Sequence, residues 1–235
     1  MILERPSSVR GEVDLGWLRS RHTFSFGHYH DPKWMGFGPL RVINEDTVAP
    51  GGGFSPHRHA NMEIISVVLS GALAHRDSTG TEGVIRAGDV QWMSAGHGIE
   101  HSEYNASDAE PVHFLQVWIQ PDRLNSEPDY KQAFFAPEAR HRRWATLLSP
   151  DGADGSIAIR QQASMRATRL AVGDQLDADL DGSRRYWLHV AVGEVALGER
   201  ILVAGDALGF VEESARLDLR GIAAVSDVLL FELPI

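Results

Sequence analysis

The chain has 235 residues, 43% hydrophobic and 23% charged, which fits one large β domain or two smaller ones. Its formal net charge of −10 excludes a bulk electrostatic grip on nucleic acid, which needs clustered Lys and Arg. It has no cysteine, which rules out disulfides and thiolate metal ligands, and no apolar stretch approaches the length of a membrane span.

Residues 1–16 include Glu4, Arg5, Arg10, Glu12 and Asp14 and lack the apolar core of a signal peptide, so a cytoplasmic location is expected. Beyond them, segments that alternate or run apolar over strand lengths occur at 40–43, 63–69, 72–76, 112–119, 156–161, 186–192 and 228–233. Turn residues punctuate the series, as in Ser70-Gly71, Ser78-Thr79-Gly80, Asp151-Gly152 and Asp181-Gly182. Helical periodicity is short. Its best candidates are 129–135 and 138–147, the second opening after Pro137. The expected fold class is therefore all-β, largely antiparallel, with a few short helices.

An internal repeat organises these segments. The first half carries Val67-Val68-Leu69-Ser70-Gly71-Ala72-Leu73, then Arg86-Ala87-Gly88-Asp89, then Leu115-Gln116-Val117-Trp118-Ile119-Gln120-Pro121. The second half carries Val190-Ala191-Val192-Gly193-Glu194-Val195, then Val203-Ala204-Gly205-Asp206, then Leu229-Leu230-Phe231-Glu232-Leu233-Pro234. The order strand, Gly turn, strand, Ala-Gly-Asp turn and closing apolar strand predicts two copies of one β-barrel unit. The charged, Pro-containing stretch 121–150 joins them, with the domains expected at 1–135 and 136–235.

The two halves differ in chemistry. The first contains His57-Arg58-His59 and His101-Ser102-Glu103. On a β-strand, side chains at i and i+2 share a face, so each pair would direct two ligands toward one point. Three imidazoles and one carboxylate suit Fe(II), Mn(II), Ni(II) or Cu(II) and leave coordination positions open. Glu63 competes with Glu103 for the carboxylate role, because in an uninterrupted strand it faces the same way as His57 and His59. The second half offers only His189, without a partner two residues away, so one metal site is expected, in the N-terminal half.

These motifs resemble the cupin superfamily and, within it, the pirin family of bicupins. The resemblance rests on Gly51, His57-x-His59, Glu63 and Gly71, and on the run from Gly88-Asp89 through Gly96 and Gly98 to His101-Ser102-Glu103. More specific to pirins are Phe24-Ser25-Phe26, Met35-Gly36-Phe37-Gly38-Pro39-Leu40-Arg41-Val42-Ile43-Asn44, Val48-Ala49-Pro50-Gly51-Gly52-Gly53-Phe54 and His75-Arg76-Asp77-Ser78. Arg58 between the histidines looks like the bacterial branch, whereas many relatives carry Pro there.

The resemblance implies a bicupin of two antiparallel jelly-roll barrels, with one divalent metal ion per chain in the N-terminal barrel. Fe(II) is the first choice, with Mn, Ni, Co, Cu or Zn as alternatives. His57, His59, His101 and Glu103 are its implied ligands. The implied activity is that of a quercetin 2,3-dioxygenase acting on flavonol-like aromatic substrates with dioxygen, with Glu103 or Glu63 as the base. The alternative is a non-catalytic, metal-bearing regulatory protein that acts on transcription or redox response through a protein partner. No direct nucleic-acid or membrane binding is implied. A metal-assisted sugar isomerase on the same barrel is a third reading, since cupins host many chemistries.

Other residues read more plainly. His97 reads as a loop histidine near the site, and His28 and His30 as loop or lid residues before Asp31-Pro32. His75, His113, His141 and His189 read as structural. Trp92, Phe114 and Trp118 are candidates to line an aromatic pocket or to pack in the barrel core.

Overall fold

The computed structural model describes residues 1–235, and almost all its regular structure is strand. In chain order the strands are β1 Ile2–Arg5, β2 Gly11–Asp14, β3 Leu18–His22, β4 Leu40–Val48, β5 Gly53–His59, β6 Glu63–Ser70, β7 Ala72–Asp77, β8 Glu82–Arg86, β9 Asp89–Ser94, β10 Ile99–Asn105, β11 Val112–Ile119 and β12 Asp129–Phe134. They continue as β13 Ala145–Ser149, β14 Ile157–Ala158, β15 Ser164–Leu170, β16 Gln175–Leu180, β17 Arg185–Val192, β18 Glu194–Leu197, β19 Arg200–Val203, β20 Ala207–Val211, β21 Ala215–Gly221 and β22 Ser226–Leu233. The helices are short 3₁₀ turns at Ser7–Val9, Pro137–Arg140 and Ala153–Gly155.

Two helical expectations are corrected. Residues 129–134 form β12, paired antiparallel with β9, and the expected helix at 138–147 reduces to one 3₁₀ turn before β13. In both segments, sheet partners outweigh a weak local periodicity. The expected strand at 156–161 shortens to β14.

Two compact units divide the chain: Gly11–Phe134 with Ile159–Gln161, and Met1–Arg10 with Phe135–Ala158 and Gln162–Ile235. Apart from Phe135, which falls with the second unit, they differ from a cut at 135/136 at two places. β1 pairs with β20, which takes Met1–Arg10 into the second unit, and the Arg160 amide donates to Glu63 Oε2 at 3.0 Å, which takes Ile159–Gln161 into the first.

In the first unit a seven-stranded sheet runs β12-β9-β6-β11-β4-β3-β2 and a four-stranded sheet runs β5-β10-β7-β8. Alternation along these strands layers the barrel interior. One end is apolar, with Val68, Leu73, Ile85, Val112 and Phe114 packed together. The other end is a second apolar cluster of Ile64, Met93, Ala95 and Ile99, with Trp118 and Tyr130 against it. Each fully buried side chain of this kind contributes about 1.5–3 kcal/mol relative to exposure. Between the two ends, β6 places Ser66 between Ile64 and Val68, and β11 places Gln116 between Phe114 and Trp118. Those two residues begin a polar middle layer, and buried polar groups persist only when partnered.

The second unit repeats the arrangement. Its sheets run β1-β20-β17-β22-β15-β13-β14 and β16-β21-β18-β19, so β17, β22 and β20 take the places that β6, β11 and β9 hold in the first. The paired Gly turns fall at equivalent hairpins. Gly71 and Gly193 have φ of +77° and +76°, and an added Cβ would meet a backbone carbonyl oxygen at 2.6 and 2.1 Å respectively. Only glycine satisfies both the left-handed backbone and that close approach. The strands that correspond to β5 and β10 are β16 and β21. They contribute Ala178, Leu180, Leu217 and Leu219 to a continuous apolar core.

Candidate metal centre

The site is built on β5 and β10, which pair antiparallel with His101 opposite His57 and Ile99 opposite His59. Past His101 the register shifts, so that Glu103 lies opposite Phe54. Pro56 falls inside this irregularity, where its missing N–H costs no ladder bond. On its other edge β10 pairs with β7, bringing Glu103 opposite His75 and His101 opposite Asp77.

The three expected imidazoles converge. Ring centroids are 4.7 Å apart for His57 and His59, 4.4 Å for His57 and His101, and 4.9 Å for His59 and His101. Their ligand-type nitrogens all lie within 4.8 Å of one another. His57 Nδ1 donates to the Ser55 carbonyl at 2.8 Å, which leaves Nε2 as the lone-pair nitrogen. His101 is buried, and neither of its ring nitrogens has a hydrogen-bond partner within the protein. Burial, together with the neighbouring His57, pushes His59 down to about 4. Burial and the surrounding imidazoles push His101 down to about 2. Both are therefore neutral at pH 7, the state in which imidazole binds a metal.

Glu103 is buried deeper in the barrel. Gln116 Nε2 donates to its Oε2 at 2.9 Å, and Ser66 Oγ lies 3.3 Å from its Oε1. Burial pushes its carboxyl above the usual range, against the opposing effects of His75 and these donors. The geometry links the five residues as two overlapping sets, His57 with His59 and His101, and His75 with His101 and Glu103. His101 belongs to both.

The expected role of Glu63 is corrected. The chain bends between β5 and β6, so the parity with His57 and His59 is broken. On β6, Ser66 points to Glu103 and Ile64 packs inside the barrel, so Glu63 faces the opposite side of the sheet. There it accepts from Trp92 Nε1 at 2.8 Å, Ser94 Oγ at 2.6 Å and the Arg160 amide at 3.0 Å. Glu63 anchors Ile159–Gln161 to the sheet and is not at the imidazoles.

The aromatic candidates separate in the same way. Trp118 lies edge-on to His59 at 4.8 Å and forms a wall of the site. Trp92 sits on the outer face with Glu63, and Phe114 belongs to the apolar end. His97 is exposed, 3.2 Å from Glu127, and lines a depression of about 590 Å³ together with Arg58, His59, Ser78 and Glu100. His28 and His30 are exposed in the loop after β3.

Sequence reading underrates His75, Ser66 and Gln116. A signal for the last two is present. Each interrupts an apolar strand, in Ile65-Ser66-Val67 and Leu115-Gln116-Val117, and a lone polar residue facing a barrel interior needs a partner there. For His75 the signal is Asp77 at i+2, on the same face of β7.

A doubled β-barrel whose N-terminal copy gathers imidazoles and a carboxylate defines the protein as a bicupin with a candidate metal centre. The pirin family model matches residues 4–119, and that of the quercetinase C-terminal cupin domain matches 146–233. The quercetin 2,3-dioxygenase of Escherichia coli K12 is 41% identical over 237 residues, covering 100% of this chain and 99% of that protein. The chain belongs to the pirin family. Among solved structures, YhhW from Escherichia coli superposes with a TM-score of 0.94 at 39% identity, covering 100% of this chain and 98% of that one. The bacterial pirin YhhW in complex with nickel(II) gives 0.93 at 39% identity, with 100% and 99% covered.

Proposed function

We propose that the protein is a metal-dependent dioxygenase of the quercetin 2,3-dioxygenase type, acting on flavonol-like aromatic substrates. The observation that carries the reading is His101, a buried neutral imidazole with both ring nitrogens unpartnered, set between His57 and His59. Such a donor set fits a divalent ion better than any packing role, because an unsatisfied buried imidazole is costly. His57, His59, His101 and Glu103 would hold that ion, Fe(II) by preference, and the structure of a relative with nickel(II) supports a divalent metal here. Bound there, the ion would supply Lewis-acid charge stabilisation and a redox centre for dioxygen chemistry.

The remaining work falls to the chain. Glu103 is the base for the flavonol hydroxyl, a carboxylate placed beside the imidazoles. Gln116 and Ser66 orient the carboxylate. Trp118 supplies an aromatic wall beside His59 and restricts how a planar substrate lies. The second barrel has leucines and alanine in its corresponding strands and serves as a scaffold without a metal.

The test is oxygen uptake by anaerobically Fe(II)-loaded protein after quercetin is added, with His101→Ala as the control. Uptake matched to flavonol loss, and absent in the variant, is expected. No uptake despite bound iron overturns the catalytic reading and favours a regulatory role.

A further inference from the structure

We propose that the barrel holds a second, inner position for a divalent metal ion, formed by His75, His101 and Glu103. It shares His101 and Glu103 with the outer position that includes His57 and His59, so one ion occupies the two positions in turn.

The register brings the residues together, since β7 and β10 place His75 directly opposite Glu103. Ligand atoms of His75, His101 and Glu103 lie within 4.8 Å of one another, and all three residues are buried. Donors bonded to one ion at about 2.1 Å stand roughly 3–4 Å apart, so a small inward adjustment closes the set. Two imidazoles and a carboxylate suit first-row divalent ions.

The orientation of His75 is fixed from two sides. Its ring stacks on Tyr130, with centroids 5.0 Å apart and planes 27° apart. Its Nε2 lies 3.1 Å from Asp77 Oδ2. The other oxygen of Asp77 accepts from the Thr79 amide at 2.9 Å, Thr79 Oγ1 at 2.6 Å and the Thr81 amide at 3.2 Å. With three donors on its Oδ1, Asp77 acts as an acceptor throughout, so the hydrogen of His75 sits on Nε2 and Nδ1 keeps its lone pair. That Nδ1 is buried and has no partner within the protein. A carboxylate that fixes the tautomer of an imidazole is the arrangement found behind metal-bound histidines. The surroundings are polar too. Gln91, opposite Ser66 in the register, is fully buried with neither amide atom partnered, which suits the hydration of an ion.

The inference rests on the reading above in one respect, that a divalent ion enters this barrel. The experiment is a titration with Co(II), followed by calorimetry and visible absorption. In His57→Ala/His59→Ala protein, which lacks the outer position, one equivalent of Co(II) is expected to bind. Adding His75→Gln should weaken that binding by at least about tenfold. Adding Asp77→Asn instead should do the same. Its Oδ1 keeps the bonds to Thr79 and Thr81, while its amide nitrogen donates to Nε2 of His75 and forces the hydrogen onto Nδ1. Asp77→Asn removes no packing atom, so it decides the question if the His75 variant loses its near-ultraviolet circular dichroism. If the double variant binds no Co(II) while the unaltered chain binds one, the inner position is overturned and the outer one stands. Unchanged affinity after His75→Gln or Asp77→Asn overturns it equally. Failure of the unaltered chain to bind Co(II) overturns both.

Discussion

Which atoms are already engaged decides what each ionisable side chain in this barrel is free to do. His57 spends Nδ1 on the Ser55 carbonyl and keeps Nε2, whereas His101 has spent neither nitrogen. Glu63 is the opposite case, with three donors directed at its two oxygens. An amide in its place can turn its oxygen to Trp92 and Arg160 and its NH2 to the Ser94 hydroxyl, but it gives up the bond that Ser94 donates and the charge that strengthens the other two. Glu63→Gln is therefore expected to cost about 1–3 kcal/mol in urea unfolding. Co(II) affinity should remain within error of the unaltered chain. A loss of affinity with no loss of stability would instead return Glu63 to the metal site. The contrast also shows what a sequence can display about individual residues. The pairs His57/His59 and His101/Glu103 are visible because a strand repeats every two residues. Glu63 shares their parity on paper, but the bend between β5 and β6 resets the count.

At the scale of strands, the centre depends on how closely β5 and β10 approach. Gly53 lies opposite Tyr104, and a Cβ there would stand 2.3 Å from Tyr104 Cδ1 and 2.5 Å from the Glu103 carbonyl oxygen. The carbonyl cannot move without moving β10. Gly53→Val is therefore expected to separate the two strands and destabilise the fold by about 1–3 kcal/mol. It should also weaken Co(II) binding by at least about tenfold, because the imidazoles lie on both strands. Retained affinity in the folded variant would show that the ligands do not depend on this approach. The strands themselves were largely legible: the repeat of Gly turn, Ala-Gly-Asp turn and closing apolar strand corresponds to the β6–β11 and β17–β22 series in both units. The stretch 129–134 was not. Its spacing imitates a helix over one turn, and only the pairing with β9, a non-local contact, makes it a strand.

Across the whole molecule, buried ionisable groups make stability depend on pH in opposing directions. His59 and His101 have values depressed by burial, so the folded chain binds fewer protons than the unfolded chain as pH falls below about 6.5. Their contribution is complete above that value and declines in acid. Asp46, on β4, acts the other way. Burial, opposed by a hydrogen bond from Ser20 and reinforced by Glu103 and Glu45, raises it from 3.8 to about 7. Between those values the folded chain binds the extra proton, so stability is fully present below about 4 and falls as pH rises through 7. Asn in place of Asp46 stays neutral at every pH and keeps an oxygen for Ser20. Asp46→Asn is thus expected to be more stable than the unaltered metal-free chain by about 2–4 kcal/mol at pH 8. The difference should shrink toward zero as pH approaches 4. Urea unfolding of both chains at a series of pH values between 4 and 8 measures it. A difference that does not change with pH would mean that Asp46 ionises in the fold as readily as in the unfolded chain.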